Sequence, residues 1–472
     1  MTTPELEPKE EIRRVWRQSH GYTGEALQAY ARNMEWLLDD PRYQDPDFEP
    51  NDAVKFYFGY VEKIEAEAIR MITEGPPYEP RLHIEGSFSV SQIEAFFPPR
   101  WVEFLKRMGM HDSQMTPEMV AEWEPLLNEG TPLRDGNLLS NHPWALTDAA
   151  WTLVAPSYIA RLLDPGITVP FRTNPAWITI DDADTLSLAL VGDWGTGPFL
   201  DGEGQLSPPE AIMEQISRLD VDYTIHLGDV YPLGAKEFYN LFFQGWKPGR
   251  RGSFNLNSNH DMYAWGTGYF EHAMKHPMFA HQQETSYFAV EFGDWIIVGL
   301  DAAYYADLPL MYDGKVQDPD QRAFLQKVRE QADQTGQKTF LMTHHHALMP
   351  EGTETTQLWD DVVSDEALGK APDVWYYGHY HAAAVYSPHS AAGPDTKIRA
   401  MGHGAIPFAA PDELSEHTGP GQPIECYADS PYPDHIPEHR GRSMNGFAAV
   451  TLTKDGEIEE RFINQDGSNM CA

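Results

Sequence analysis

At 472 residues and 41% apolar content, the chain is long enough for two domains, or one large domain with extensions, around a substantial core. Its 72 acidic against 34 basic residues leave a net charge of −38, a field that repels nucleic acid and anionic membranes and argues against both as partners. No stretch approaches a membrane span, the start Met1-Thr2-Thr3-Pro4-Glu5 lacks the basic flank and apolar run of a signal peptide, and two cysteines, Cys426 and Cys471, give no disulfide framework, so a cytoplasmic location is expected.

Residues 1–180 read as a mainly α-helical N-terminal region. Apolar positions three or four apart mark helix-like stretches at Gly24 to Leu38, Ala53 to Thr73 and Ala145 to Leu163, separated by proline-rich loops. No chemical motif stands out there. Met108, Met110, Met115 and Met119 read as adaptable packing, and His83, His111 and His142 as isolated surface or core residues.

From Thr185 the pattern alternates between strand and helix, which sets residues 181–472 apart as a second unit of α/β class. Leu186 to Val191 reads as a buried strand, Ser207-Pro208-Pro209-Glu210 as the cap and first turn of a helix through Leu219, and Tyr223 to Leu227 as the next strand. Ser286 to Phe292 and Trp295 to Leu300 flank Gly293-Asp294 as a hairpin, and a helix from Pro319 to Gln334 precedes a strand from Thr339 to Thr343. A strand from Asp373 to Tyr377 follows. Ala410 to Arg442, rich in Pro, Gly and acids, reads as an irregular excursion near the site mouth, and Phe447 to Leu452 with Ile458 to Ile463 as a closing hairpin.

Five polar clusters each follow an apolar run: Gly192-Asp193-Trp194-Gly195, Gly228-Asp229, Asn259-His260-Asp261, His344-His345-His346 and Gly378-His379-Tyr380-His381. Singly, a Gly-Asp pair is an ordinary turn. Together they present carboxylates, an amide and imidazoles at successive strand ends, and such donors suit Mn, Fe, Zn or Mg in a binuclear centre. A metal pair can clamp a phosphate and stabilise the attacking and leaving oxygens of an in-line displacement. The alternation in Gly378-His379-Tyr380-His381 calls for an irregular loop, with Gly378 freeing the backbone.

The order and types of these residues resemble the calcineurin-like metallophosphoesterase superfamily over roughly residues 184 to 466, and Gly-Asp-Trp-Gly looks specifically like the purple acid phosphatases. The resemblance implies a two-sheet α/β sandwich with its ligands gathered at one edge. It implies that Asp193 holds a first metal, that Asp229 bridges both, that Asn259, His344 and His379 complete the second site, and that His381 returns to the first. His260 matches the superfamily histidine that contacts the phosphate or protonates the leaving oxygen, with Asp261 placed to fix its tautomer.

Two positions depart from the pattern. Gly195 stands where most members carry a histidine, and Pro232 where purple acid phosphatases carry a tyrosine, while Tyr231 comes one residue early and on an extended segment would face away unless a turn at Pro232 redirects it. A weakly held first metal is the consequence, with His226, His345 and His346 as possible substitutes that read more readily as packing or substrate-side residues. Lys247, Arg250 and Arg251 could meet a second acidic group of the substrate, though a solvated loop is the simpler explanation of them. The implied activity is metal-dependent hydrolysis of a small-molecule phosphomonoester or phosphodiester by a metal-bound hydroxide; the alternative is a non-catalytic scaffold that keeps the fold and binds a partner.

Overall fold

The computed structural model describes residues 168–195, 197, 206–307, 311–406, 412–432 and 442–471, together with 131–132, 138–139, 144, 157–158, 161 and 166. The helices expected at Gly24 to Leu38 and Ala53 to Thr73 lie outside the described residues, and of Ala145 to Leu163 only Ser157, Tyr158 and Arg161 are described, all three helical. A short antiparallel pair, β1 (Thr131–Pro132) and β2 (Leu138–Leu139), precedes them.

Two mixed sheets form an α/β sandwich. The eight-stranded sheet is built from β3 (Ala176–Ile180), β7 (Phe288–Phe292), β8 (Trp295–Gly299), β9 (Lys338–Thr343), β10 (Val374–Tyr377), β11 (Ala383–Tyr386), β12 (Lys397–Met401) and β13 (Ile424–Tyr427), in the order β13-β11-β12-β10-β9-β8-β7-β3. The five-stranded sheet takes β4 (Thr185–Val191), β5 (Tyr223–His226), β6 (Gly252–Asn255), β14 (Gly446–Thr453) and β15 (Ile458–Asn464), in the order β15-β14-β4-β5-β6. Strands β4, β5 and β6 run parallel, as do β8, β9, β10 and β12. Parallel strands covered on both faces are apolar throughout, and the last four residues of β4 and all of β5 and β10 are buried.

Helix α1 (Pro208–Leu219) starts where Glu210 accepts from the Ser207 backbone N–H at 3.0 Å, with proline at its first position. Next come α2 (Lys236–Gly245) and the one-turn α3 (Asn259–Tyr263). In α4 (Pro319–Thr335) Asp318 caps the amides of Asp320 and Gln321, and Gly336, at φ 77°, ends the helix. One core of aliphatic and aromatic side chains draws on both sheets, including Leu188, Ile225, Val298, Leu341 and Val450.

Three features differ from the sequence reading. The large sheet begins at Ala176, before residue 181, because β3 pairs in parallel with β7. The excursion from 410 to 442 is not irregular throughout, since Ile424–Tyr427 adds the edge strand β13 to β11. Cys426 and Cys471 are joined in a disulfide although 45 residues separate them. Only the packing of the two sheets brings the C-terminal segment beside β13, so spacing alone could not reveal the pair.

Candidate metal centre

Each cluster sits just past the C-terminal end of a parallel strand: β4, β5, β6, β9 and β10 feed Asp193, Asp229, Asn259, His344 and His379 in turn. Open α/β sheets place their sites at such strand ends. The chain turns sharply there, and Asp193 (φ 57°), Asp229 (φ 72°) and His379 (φ 69°) all take left-handed backbone conformations rare for residues with a Cβ. Backbone bonds hold the turns together, with Asp193 N–H donating to Gly228 O (3.0 Å) and Gly378 N–H to His344 O (3.0 Å). Two glycines let the loops approach so closely. A Cβ at Gly228, whose φ is 105°, would lie 2.5 Å from His344 Nδ1, and one at Gly378 would lie 2.8 Å from Asp193 Oδ2.

The result is two ligand groups, Asp193 with Asp229 and His381, and Asp229 with His344 and His379, whose donor atoms within each group lie within 4.8 Å of one another. Asp229 belongs to both. Asn259 Oδ1 stands 2.9 Å from His344 Nε2 and extends the second group.

The donor set fits a cation. His344 donates through Nδ1 to Leu227 O (2.9 Å) and turns Nε2 toward Asn259 Oδ1 and, at 3.2 Å, toward Asp229 Oδ1. Asp193 Oδ1, both oxygens of Asp229 and His379 Nε2 are buried without a hydrogen-bond partner, a costly state that bound metal relieves. Burial and the neighbouring Asp229 push the Asp193 carboxyl well above its ordinary value. Burial raises Asp229 too, but His344 and His260 outweigh it and hold that carboxylate well below its ordinary value. Two close carboxylates cannot both carry charge in a dry site without positive charge between them. The residues fit a binuclear metal centre.

Tyr231, set aside by its position in the sequence, reaches the site. The Tyr231–Pro232 peptide bond is cis, and the buried Tyr231 hydroxyl meets His381 Nε2, on the Asp193 side. Its ring stacks on His260, centroids 4.0 Å apart.

His260 donates Nδ1–H to Pro232 O at 2.8 Å and directs Nε2 toward Asp229 Oδ2, 3.9 Å away. A backbone carbonyl, not Asp261, thus fixes its tautomer. Asp261 turns away to cap α3, accepting from Ser258 N–H (3.1 Å) and Ser258 Oγ–H (2.7 Å), and its other oxygen accepts from Tyr239 (2.7 Å). Burial raises this carboxyl to about 7.

The substitutes considered for the first metal lie elsewhere. His226 bonds Asn255 Oδ1 (2.7 Å) and packs against Phe242 and Trp246. His345 donates to Met311 O (2.8 Å), and His346 stacks on Tyr380. Arg250 and Arg251 pair with Asp220, Asp222 and Asp182 beside the start of β5, at the strand end opposite the site. Their charge is spent within the chain.

Two further side chains line the centre without a motif of their own. Tyr263 receives a hydrogen bond from Asn259 Nδ2 (2.9 Å) and lies 4.7 Å, centroid to centroid, from His260; its place four residues after Asn259 on a helix was the one available signal. Tyr312 is 38% exposed with its ring centroid 5.1 Å from that of His379, at the mouth of the site.

Fold and site together define a class. Residues 186–383 match the family model for calcineurin-like phosphoesterases, and the two Asp/His ligand groups within that span are consistent with metal-dependent phosphoester hydrolysis. No curated protein sequence matches the chain. Among solved structures it is similar to GAP50, the anchor in the inner membrane complex of Plasmodium, at 13% identity over 61% of this chain and 88% of that one, with a TM-score of 0.40. Purple acid phosphatase PPD1 from yellow lupin (Lupinus luteus) seeds matches at 13% identity over 61% of this chain and 53% of that one, TM-score 0.38, and PhoD at 10% over 61% and 71%, TM-score 0.37. At these identities and scores the likeness says nothing about substrate.

Proposed function

We propose that this chain hydrolyses a small-molecule phosphomonoester or phosphodiester at a centre related to that of purple acid phosphatases. Asp193, His381 and the early tyrosine Tyr231 would hold the first metal, Asp229 would bridge, and Asn259, His344 and His379 would hold the second. The observation that carries this reading is the set of buried carboxylates and imidazoles converging from four strand ends, with Asp193 Oδ1, both oxygens of Asp229 and His379 Nε2 left without a hydrogen-bond partner. When bound, the metals supply neutralisation of phosphoryl charge and a nucleophile at neutral pH.

The chain's own residues do the rest. His260, with Nδ1–H donated to Pro232 O, turns Nε2 toward the leaving oxygen and would pass it a proton from the imidazolium form. Tyr231 stacked beneath it holds the ring in place, and Asn259 is steadied by Tyr263. Of residues 1–180, read as a separate N-terminal region, Trp144 and Tyr158 would close one side of the site. Support comes from Trp144, whose Nε1 lies 3.6 Å from where a Cβ at Gly195 would sit, and from Tyr158 packed on Tyr263 at 4.5 Å.

The Cys426–Cys471 disulfide favours an oxidising compartment over the cytoplasm expected from the sequence. Among the described residues no helix is long and apolar enough to cross a membrane.

Asp229→Ala should lose both metals and all turnover. His260→Ala should keep both metals and lose about 10²–10⁴-fold in kcat. Unchanged turnover in His260→Ala would remove that residue from the mechanism.

A further inference from the structure

Arg161 is the anomaly of this molecule. Its side chain is only 6% exposed, yet Nε and Nη1 are buried without a hydrogen-bond partner, and no ion pair is formed with any carboxylate among the described residues. In a chain with 72 acidic residues, a buried guanidinium left without one is costly, since an unpaired buried charge is strongly destabilising. Burial pulls its pKa down, and the nearest groups acting on its charge are the phenols of Tyr158, Tyr263 and Tyr304. None of these carries a neutralising charge at physiological pH.

Its position is informative. Arg161 and Tyr158 are helical residues three apart, hence on one face. Tyr158 packs on Tyr263, and Tyr263 places its hydroxyl on Asn259 and its ring beside His260. The face that bears Arg161 is therefore the one laid against the Tyr263 wall of the metal centre, on the side of His260. The other basic cluster near the catalytic strands, Arg250 with Arg251, is already neutralised by Asp220, Asp222 and Asp182 at the opposite strand end.

We propose that Arg161 is a substrate-binding residue that receives a second acidic group, a carboxylate or further phosphate carried on the leaving alcohol, and so selects phosphoesters of acidic alcohols. The inference rests on the hydrolase reading for its biological meaning. A planar guanidinium presents a fork of donors that matches either oxyanion in bidentate fashion, and a ligand that brings its own negative charge removes the penalty of the unpaired cation.

Binding of phosphonoacetate and methylphosphonate to the metal-loaded full chain, measured by calorimetry, isolates this interaction because the two differ by one carboxylate and neither is hydrolysed. The expected result is at least tenfold tighter binding of phosphonoacetate, lost in Arg161→Gln with methylphosphonate affinity unchanged, and partly kept in Arg161→Lys. Equal affinity of the wild-type chain for both ligands overturns the proposal, as does an equal loss for both in the Gln variant. Should Arg161→Gln fail to fold, the wild-type preference and its weakening in Arg161→Lys decide the matter. Turnover of phosphoglycolate is followed beside these titrations. Selective binding with no turnover of any phosphoester would overturn the hydrolase reading and leave the Arg161 site standing.

Discussion

Tyr231 and His381 share the Asp193 side of the centre, the side where we propose that the phenol oxygen supplies what Gly195 and Pro232 withhold. Tyr231→Phe keeps the ring stacked on His260 while removing only that oxygen. We expect the metal content to fall from two ions per chain toward one, with the Asn259, His344 and His379 side still filled; with iron bound, any visible band from tyrosinate should vanish. Full occupancy of both sites in the variant would show that Tyr231 is no ligand. Asp193, Asp229, His344, His379 and His381 were readable because their clusters follow apolar runs that end in turns, and Asn259 because its cluster falls in the order of the motifs it resembles. Tyr231 was not, since period-two reasoning cannot follow a chain that leaves the extended conformation at Asp229. Asp261 misled for a related reason: adjacency to His260 suggested a pair, but on a capped helical turn its side chain points back to Ser258.

At the scale of elements, one buried ion pair ties the two sheets together. Arg399 on β12 donates Nε–H and Nη2–H to the two oxygens of Glu460 on β15, each at 2.9 Å, and Tyr376 on β10 donates to the same carboxylate. Burial raises the Glu460 pKa, but the Arg399 bonds outweigh it and hold the group below its ordinary 4.5. A folded-state value below the unfolded one means the contribution is complete above about pH 5 and is lost as pH falls through the folded value. Glu460→Gln should therefore cost about 3–5 kcal/mol at pH 7, by leaving Arg399 buried and unpaired, and the gap between variant and wild type should narrow below pH 4. Denaturant melts at pH 7 and pH 3.5 check this, and a gap independent of pH would contradict it. Strands β4, β5, β9 and β10 were legible as apolar runs, whereas β6 was not, because its Ser253 and Asn255 are buried polar residues satisfied by Thr224, Trp246, His226 and Tyr239. Lys397 and Arg399 hid β12 in the same way, the second being held by the partner sheet.

Across the whole molecule, the Cys426–Cys471 disulfide fastens the C-terminal segment beyond β15 to the edge strand of the opposite sheet. A cross-link closing a loop of this size stabilises by about 2–4 kcal/mol, chiefly by restricting the unfolded chain. Cys471→Ser, or strong reductant, should lower Tm by several degrees with metal content and turnover unchanged; an identical Tm with and without reductant would mean the pair is open in solution. The α/β class was evident from alternating strand and helix signals and the two-sheet layering from the resemblance, but the start of the large sheet at Ala176 was not, since β3 pairs with a strand more than a hundred residues later.

The decisive measurement is metal content of the full chain purified without chelator, together with hydrolysis of p-nitrophenyl phosphate and bis-p-nitrophenyl phosphate after addition of Mn, Zn, Fe or Mg. Converging lone pairs on Asp193, Asp229, His344 and His379 predict two metals per chain and turnover of at least one ester. One metal or none, with no turnover under any addition, would contradict the account.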